Sequence, residues 1–295
     1  MRNGKLTAAA IAASTGLLLS ACGSGSSSEE GFSAPVAENP SFEQGTTMAE
    51  YADSGEITIG TKKDQPLFGL ENLNGEMQGF DVAIGEIIAG KLGIPADKIN
   101  WKETPSKNRE LYLEQGKVDM VVATYTINDK RAERVTFAGP YYEAGQDLMV
   151  KQDNNSITGP ESLRDSDAKV CSARGSTPSE RIREYVDSSR LVLFDTYSKC
   201  ADALRNGQAQ AVTTDNSILM GLVSESENQF KVVGNTFSEE PYGVGIVKGD
   251  VDFCEFINDS LRTAAENGTY QEAWNSSAGQ VSEKTPELPE LQSCG

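Results

Sequence analysis

The chemistry in this chain gathers where apolar runs hand over to helices. In "VVATYTINDKR" (121–131) an apolar run, Met120 to Ala123, is followed by Thr124, Thr126, Asn128 and Arg131. Asn128 suits a helix N-cap, which leaves free backbone N–H groups at the helix start. Two hydroxyls and a planar guanidinium beside such an end make a site for an anion, and for a carboxylate in particular. "ARGSTPSER" (173–181) repeats the device, with Thr177 as the expected cap and Pro178 at the first helical position.

Asp215 follows Val212-Thr213-Thr214 as a lone acid at a strand end. It is either a helix cap or the counter-charge for an ammonium group. An anion site on one wall and a carboxylate on the other describe the α-carboxylate and α-amine of an amino acid. Other chemistries are closed off. The chain has no histidine, which removes His-based triads and His-ligated zinc. No CxxC occurs, so no metal or redox cofactor is expected. With 44 acidic against 26 basic residues the net charge is −18, which argues against a nucleic-acid partner.

Positioning these groups requires alternating strands and helices. Ile57 and Ile59 alternate in a strand. Ala83, Ile84, Ile87, Ile88 and Leu92 then recur at helical spacing up to Gly93. Ile99 and Trp101 mark a strand, 108–115 a helix, 118–123 a strand, and a helix follows from Asp129. The order repeats from residue 168. "LEQGKVDMV" (113–121) and "LRNGQAQAV" (204–212) share Leu-x-x-Gly-x-x-x-x-Val, a helix closed by glycine before a buried strand. This predicts an α/β fold of two similar lobes, each a mainly parallel sheet flanked by helices, joined by two crossovers. Residues 51–149 and 241–280 form lobe 1 and residues 150–240 form lobe 2. The interface between such lobes is where a ligand binds.

The ends read differently. Arg2 and Lys5 precede an apolar run, Leu6 to Ala21, that suits a signal peptide over 1–21. Leu19-Ser20-Ala21-Cys22 resembles a bacterial lipobox, which makes Cys22 the lipid-modified residue of a chain anchored to the outer face of the cytoplasmic membrane. Residues 22–50 are expected to be a flexible tether, and 281–295 a Pro/Glu-rich tail held only by Cys294. The other four cysteines allow three pairings. Cys171–Cys200 and Cys254–Cys294 are preferred because each pair lies within one region of the chain.

"GFDVAIGEIIAGKLG", "VDMVVATYTINDKRAERVTFAGPYY" and "NGTYQEAWN" resemble the extracytoplasmic solute-binding proteins of polar amino-acid ABC transporters, over about residues 56–274. The resemblance implies a type II periplasmic-binding-protein-like fold and a monomer that delivers its ligand to a permease with a cytoplasmic ATPase. It implies that Thr124, Thr126, Arg131 and Thr177 contact the α-carboxylate and that Asp215 takes the amine. Tyr197 stands at the place of a cleft-facing tyrosine. "GTKKDQPLFG" and "SKNREL" resemble the acidic-amino-acid branch, where Lys62 and Arg109 meet a side-chain carboxylate. Physics agrees, because a buried second carboxylate needs a paired cation. Glutamate is therefore the expected ligand, with glutamine or aspartate as alternatives. Arg174, where the family often has glutamine, is expected to face solvent. A dehydratase-like enzyme on the same scaffold and a signalling receptor are the rival functions.

Overall fold

The computed structural model describes residues 31–282 and 284–295. The expected signal peptide (1–21), Cys22 and the tether up to residue 30 lie outside the described residues. The chain first builds α1 (Thr47–Ser54), β1 (Ile57–Thr61), β2 (Asp64–Gln65), β3 (Gly69–Glu71), β4 (Met77–Gln78), α2 (Phe80–Lys91), β5 (Ile99–Glu103), α3 (Arg109–Glu114), β6 (Met120–Val121), α4 (Asp129–Ala132) and β7 (Val135–Ala144). It then builds β8 (Gln146–Lys151), β9 (Val170–Ala173), α5 (Thr177–Arg181), β10 (Leu191–Phe194), α6 (Tyr197–Arg205), β11 (Ala211–Asp215), α7 (Asn216–Ser224) and β12 (Phe230–Val232). It finishes with β13 (Glu240–Val247), α8 (Val251–Asn267) and α9 (Thr269–Asn275).

Two five-stranded sheets result, ordered β5-β1-β6-β13-β7 and β10-β9-β11-β8-β12. In each, two parallel pairings are followed by two antiparallel ones, so the fourth strand runs against the other four. The repeated Leu-x-x-Gly stretches fall at equivalent places: α3 into β6 in one sheet, α6 into β11 in the other. The expected two-lobed α/β architecture is therefore present. A small third sheet, β2-β3-β4, follows β1.

The lobes are joined where β7 passes into β8 through Gly145, and where residues 233–239 return from β12 to β13. The two crossings lie side by side. Ser238 Oγ accepts from the Gln146 amide at 3.0 Å, and the Phe237 amide donates to Gln146 O at 2.9 Å.

Alternation along buried strands sets the cores. In β8, Leu148 and Val150 join one cluster with Val170 and Ala211, while Met149 joins another with Cys171 and Val212 on the opposite face. The first lobe packs α2, α8 and α9 on its sheet around Phe68, Phe80, Tyr142, Tyr242 and Trp274. Trp274 stacks on Tyr142 with ring centroids 5.2 Å apart.

Two expectations about the ends need correction. Residues 31–46 are not a free tether. Ala37 N donates to Gly90 O at 2.8 Å, and Phe32, Ala34 and Phe42 pack on the first lobe's core, with Phe42 edge-on to Phe256. Apolar side chains spaced through a Ser/Glu-rich stretch carry this segment onto the surface of α2 and α8. Nor is the tail held by Cys294 alone. Leu288 and Leu291 pack on the same core, and the Gln292 amide donates to Gly139 O at 2.7 Å. Both preferred pairs, Cys171–Cys200 and Cys254–Cys294, are disulfide-bonded. No helix among the described residues is long and apolar enough to cross a membrane.

Candidate functional site

The ends of β6 and β11 meet between the lobes. After β6 the chain turns sharply at Thr124, whose φ of +44° lies in the left-handed region disfavoured for a branched residue. Buried Asp81, on the first turn of α2, holds that turn. Its Oδ2 accepts the Thr124 amide at 2.8 Å and its Oδ1 accepts the Tyr141 hydroxyl at 2.7 Å. Burial pushes the Asp81 carboxyl up to about 6, against these hydrogen bonds. Sequence reasoning missed Asp81, since an acid in a helix's first turn looks like a routine dipole partner. Asn128 caps α4 as expected, accepting the Arg131 amide at 3.0 Å.

On the second lobe, the cap of α5 is Ser176 rather than Thr177: Ser176 Oγ accepts the Ser179 amide at 3.1 Å. Ser and Thr are both favoured caps, so spacing alone did not separate them. Thr177 becomes the first helical residue and its hydroxyl is freed for other partners. Asp215 occupies the N-cap position of α7 yet makes no cap hydrogen bond. Its Oδ2 accepts the Tyr242 hydroxyl at 2.7 Å, and its Oδ1 is buried with no partner among the described residues.

A small, partly open space, with about 10 Å³ of free volume, is lined by Ser106, Arg109, Thr124 and Thr126 from the first lobe and by Ser176, Thr177, Tyr197 and Asp215 from the second. Six of the eight ligand contacts expected from the sequence, Arg109 among them, thus line one space. Arg109 lies over the Tyr125 ring at 4.1 Å and donates through Nη1 to Ala123 O and Thr124 O, while its buried Nε has no partner among the described residues. Arg131 is not among the lining residues. Its guanidinium donates to Thr126 O at 2.6 Å and to Gly175 O of the other lobe at 3.4 Å.

Lys62 borders a second space of similar size, with about 10 Å³ of free volume and with Asp64, Gln65, Glu103 and Asp195 among its walls. Tyr197 lines both spaces. Ser106, on the wall of the first, receives the Lys62 ammonium at 3.0 Å. Lys62 has no ion-pair partner among the described residues. Burial, with Arg109 nearby, lowers its pKa to about 7. Burial, with Glu240 nearby, raises Asp215 to about 7. Neither Lys62 nor Asp215 has an ion-pair partner among the described residues, so a cation stands on one side of the site and an acid on the other, while Arg131 pairs with Glu110 at 3.5 Å.

The lobes touch around this site. Thr126 and Thr177 hydroxyls are 3.3 Å apart, Lys107 pairs with Asp195 at 2.9 Å, and the Ser198 amide donates to Asp64 at 3.0 Å. Gly175, at φ +78°, lies so close to Lys107 that a Cβ would sit 2.7 Å from its Cα. Arg174 faces solvent with a half-exposed side chain, donating to Leu193 O. Glu240, at the start of β13, was missed entirely; it is fully buried and accepts the Thr177 hydroxyl at 2.7 Å.

The family described as bacterial extracellular solute-binding proteins, family 3, matches residues 57–277. The glutamate-binding protein GluB of Corynebacterium efficiens is 37% identical over 254 residues, 83% of this chain and 86% of that one. The ABC transporter glutamine-binding protein GlnH of Bacillus subtilis is 38% identical over 88% of this chain and 91% of its own length. Among solved structures, an ancestral arginine-binding protein bound to glutamine is 35% identical with a TM-score of 0.70, covering 75% of this chain and 96% of that one.

Proposed function

Since this chain belongs to family 3 of the bacterial extracellular solute-binding proteins, we propose that it captures glutamate outside the cell and delivers it to an ABC permease driven by a cytoplasmic ATPase. One observation carries the reading. Asp215 Oδ1 and Arg109 Nε are both buried and without a partner among the described residues, on opposite lobes, in residues that line one small space. Leaving a buried charge half-satisfied is costly, so such a pair fits a ligand that brings both an ammonium and a carboxylate.

In this assignment Asp215 takes the α-ammonium, and Thr124, Thr126 and Arg131 take the α-carboxylate, Arg131 swinging off the Gly175 carbonyl to do so. Tyr197 borders the ligand's length. Arg109 and Lys62 take the side-chain carboxylate at the junction marked by Ser106 and Tyr197. Lys62 favours an acidic ligand over glutamine, because a buried ammonium without an acid partner gains most from a carboxylate. Binding works by closure: contacts on both lobes exist together only when the lobes meet, so the ligand shifts the open–closed equilibrium. No chemical step is involved. Lipid attachment at Cys22 would keep the protein beside its permease.

A thermal-shift panel of the amino acids tests this, because a ligand that binds only the folded state raises the melting temperature. Glutamate should give the largest shift. A larger shift with glutamine, the ligand named in a relative, would move the assignment to a neutral side chain, and turnover of any candidate substrate would make the protein an enzyme.

A further inference from the structure

Tyr125 stands between the two threonines that line the site, yet its own side chain is fully buried in a small core with Leu113, Val121, Val135 and Phe137. By those contacts it is a packing residue. Two guanidiniums nevertheless converge on its ring. Arg109 lies over it at 4.1 Å from the centroid and Arg131 at 5.1 Å. The chain on either side of the ring serves the same pair. Arg109 Nη1 donates to the carbonyls of Ala123 and Thr124, just before it, and Arg131 Nη1 donates to that of Thr126, just after it. Resting on the assignment of glutamate as the ligand, we infer that Tyr125 is a positioning residue: its ring is a shared platform that sets the spacing of the Arg109 and Arg131 guanidiniums and so selects a ligand with two carboxylates.

The electrostatics call for such a platform. Both arginines are buried, and like charges held close together repel. Burial, with Arg109 nearby, lowers the Arg131 pKa to about 10. Arg131 has Glu110 at 3.5 Å, whereas Arg109 has no ion-pair partner among the described residues and rests on carbonyl oxygens and the ring. The face of an aromatic ring is partly negative, so it attracts a guanidinium without neutralising it. An acid in its place would cancel the charge that the ligand is to meet. On the ring, both cations stay oriented and each keeps its charge for a carboxylate.

The ring itself is fixed. Phe137 of β7 meets it edge-on with centroids 4.8 Å apart. Gly245 of β13 lies so close that a Cβ there would sit 2.7 Å from Tyr125 Cε1. Glu110, the acid beside Arg131, also lies beside the Tyr125 hydroxyl. A ring held on its edges cannot tilt, so the two guanidiniums keep one separation. Glutamate brings a carboxylate for each, Arg131 at the α-carbon and Arg109 at the side chain. Glutamine brings one and leaves Arg109 facing a neutral amide.

The test combines affinities with a structure. Glutamate and glutamine are titrated by calorimetry into wild type, Tyr125→Phe and Tyr125→Leu, each first shown by thermal melting to be folded. Tyr125→Phe keeps the ring and should stay within about threefold of wild type for glutamate. Tyr125→Leu keeps apolar bulk without a π face and should weaken glutamate roughly tenfold or more, as for two lost cation–π contacts, with a smaller loss for glutamine. In crystals of the wild-type glutamate complex, both guanidiniums should remain within about 6 Å of the Tyr125 centroid, each on a different carboxylate of the ligand. A glutamate loss in Tyr125→Leu no greater than in Tyr125→Phe, an equal loss for glutamine, or a complex in which either guanidinium leaves the ring overturns the inference and leaves the ligand assignment intact. If Tyr125→Leu does not fold, or glutamine binds too weakly to compare, the complex decides. Wild type that prefers glutamine, or binds no amino acid, overturns the assignment beneath it as well.

Discussion

Tyr242 of β13 donates its phenol hydrogen to Asp215 Oδ2 at 2.7 Å and accepts in turn from Ser217 Oγ at 2.8 Å. The first lobe thus fixes the orientation of the second lobe's acid, and does so with one oxygen only. The other oxygen, Oδ1, is left over. A carboxylate used in this way resembles one arm of a clamp: oriented by the protein and completed by the ligand.

The first prediction concerns that arm. Asp215→Asn should weaken glutamate binding by about 2–5 kcal/mol, the cost of removing one partner of a buried charge pair. Tyr242→Phe removes the hydrogen bond that counteracts burial, so Asp215 should titrate above its value of about 7. Its affinity deficit relative to wild type at pH 7 should shrink as the pH is raised. Calorimetry across pH checks both.

A second prediction follows from the two groups poised near neutrality. Lys62 is lowered to about 7 in the free protein, and a bound carboxylate would stabilise its charged form. Above pH 7 glutamate binding must then take up a proton, so affinity falls as pH rises, approaching about tenfold per unit. Asp215 is raised to about 7, and a bound ammonium would stabilise its anion. Below pH 7 binding must release a proton, so affinity falls again as pH drops. Glutamate should show a maximum near pH 7. Any weaker binding of glutamine should keep the acid limb and lose the alkaline one, and Lys62→Met should lose the alkaline limb for glutamate too.

The same groups carry a stability cost. The folded pKa of Lys62 lies below its unfolded value of 10.5, so its penalty is fully present below pH 7 and is relieved as pH rises from about 7 towards 10.5. Lys62→Met should therefore raise the melting temperature of the ligand-free protein at pH 6 while weakening glutamate binding, a trade expected where a site stores uncompensated charge. Thermal melts at pH 6 and pH 10 check this; the gain should shrink at the higher pH.

How much of this was legible in the chain divides by locality. Asn128 as a cap, the strand ends carrying Thr124 and Asp215, and the matching α3–β6 and α6–β11 units all follow from spacing within some ten residues. Asp81, Glu240 and Tyr242 do not. Each acts on a partner at least 27 positions away in the chain, and no local pattern distinguishes it from an ordinary helix acid or strand residue. The attachment of residues 31–46 was hidden for another reason. Glycine, serine and glutamate set the composition of the surrounding stretch, while a few apolar side chains, Phe32 and Phe42 among them, determine its contacts.

The disulfides give a fourth prediction. Cys171–Cys200 closes a separation of 29 residues inside the second lobe, and Cys254–Cys294 one of 40 that secures the tail to α8. By loop-closure entropy each adds about 3–4 kcal/mol. Removal of Cys254–Cys294 by paired serine substitution should lower the melting temperature with little effect on glutamate affinity, because α8 and the tail lie outside both cavities. Removal of Cys171–Cys200 should lower both, since β9 and α6 carry Ala173 and Tyr197 into the site.

The most direct measurement is calorimetric titration of glutamate and glutamine into wild type, Lys62→Met and Arg109→Met. With two cations waiting for a second negative charge, wild type should bind glutamate with micromolar or tighter affinity, about −8 kcal/mol or better. Both variants should lose glutamate affinity by an order of magnitude or more, and Lys62→Met should lose far less for glutamine. Undiminished glutamate binding in both variants would contradict the account.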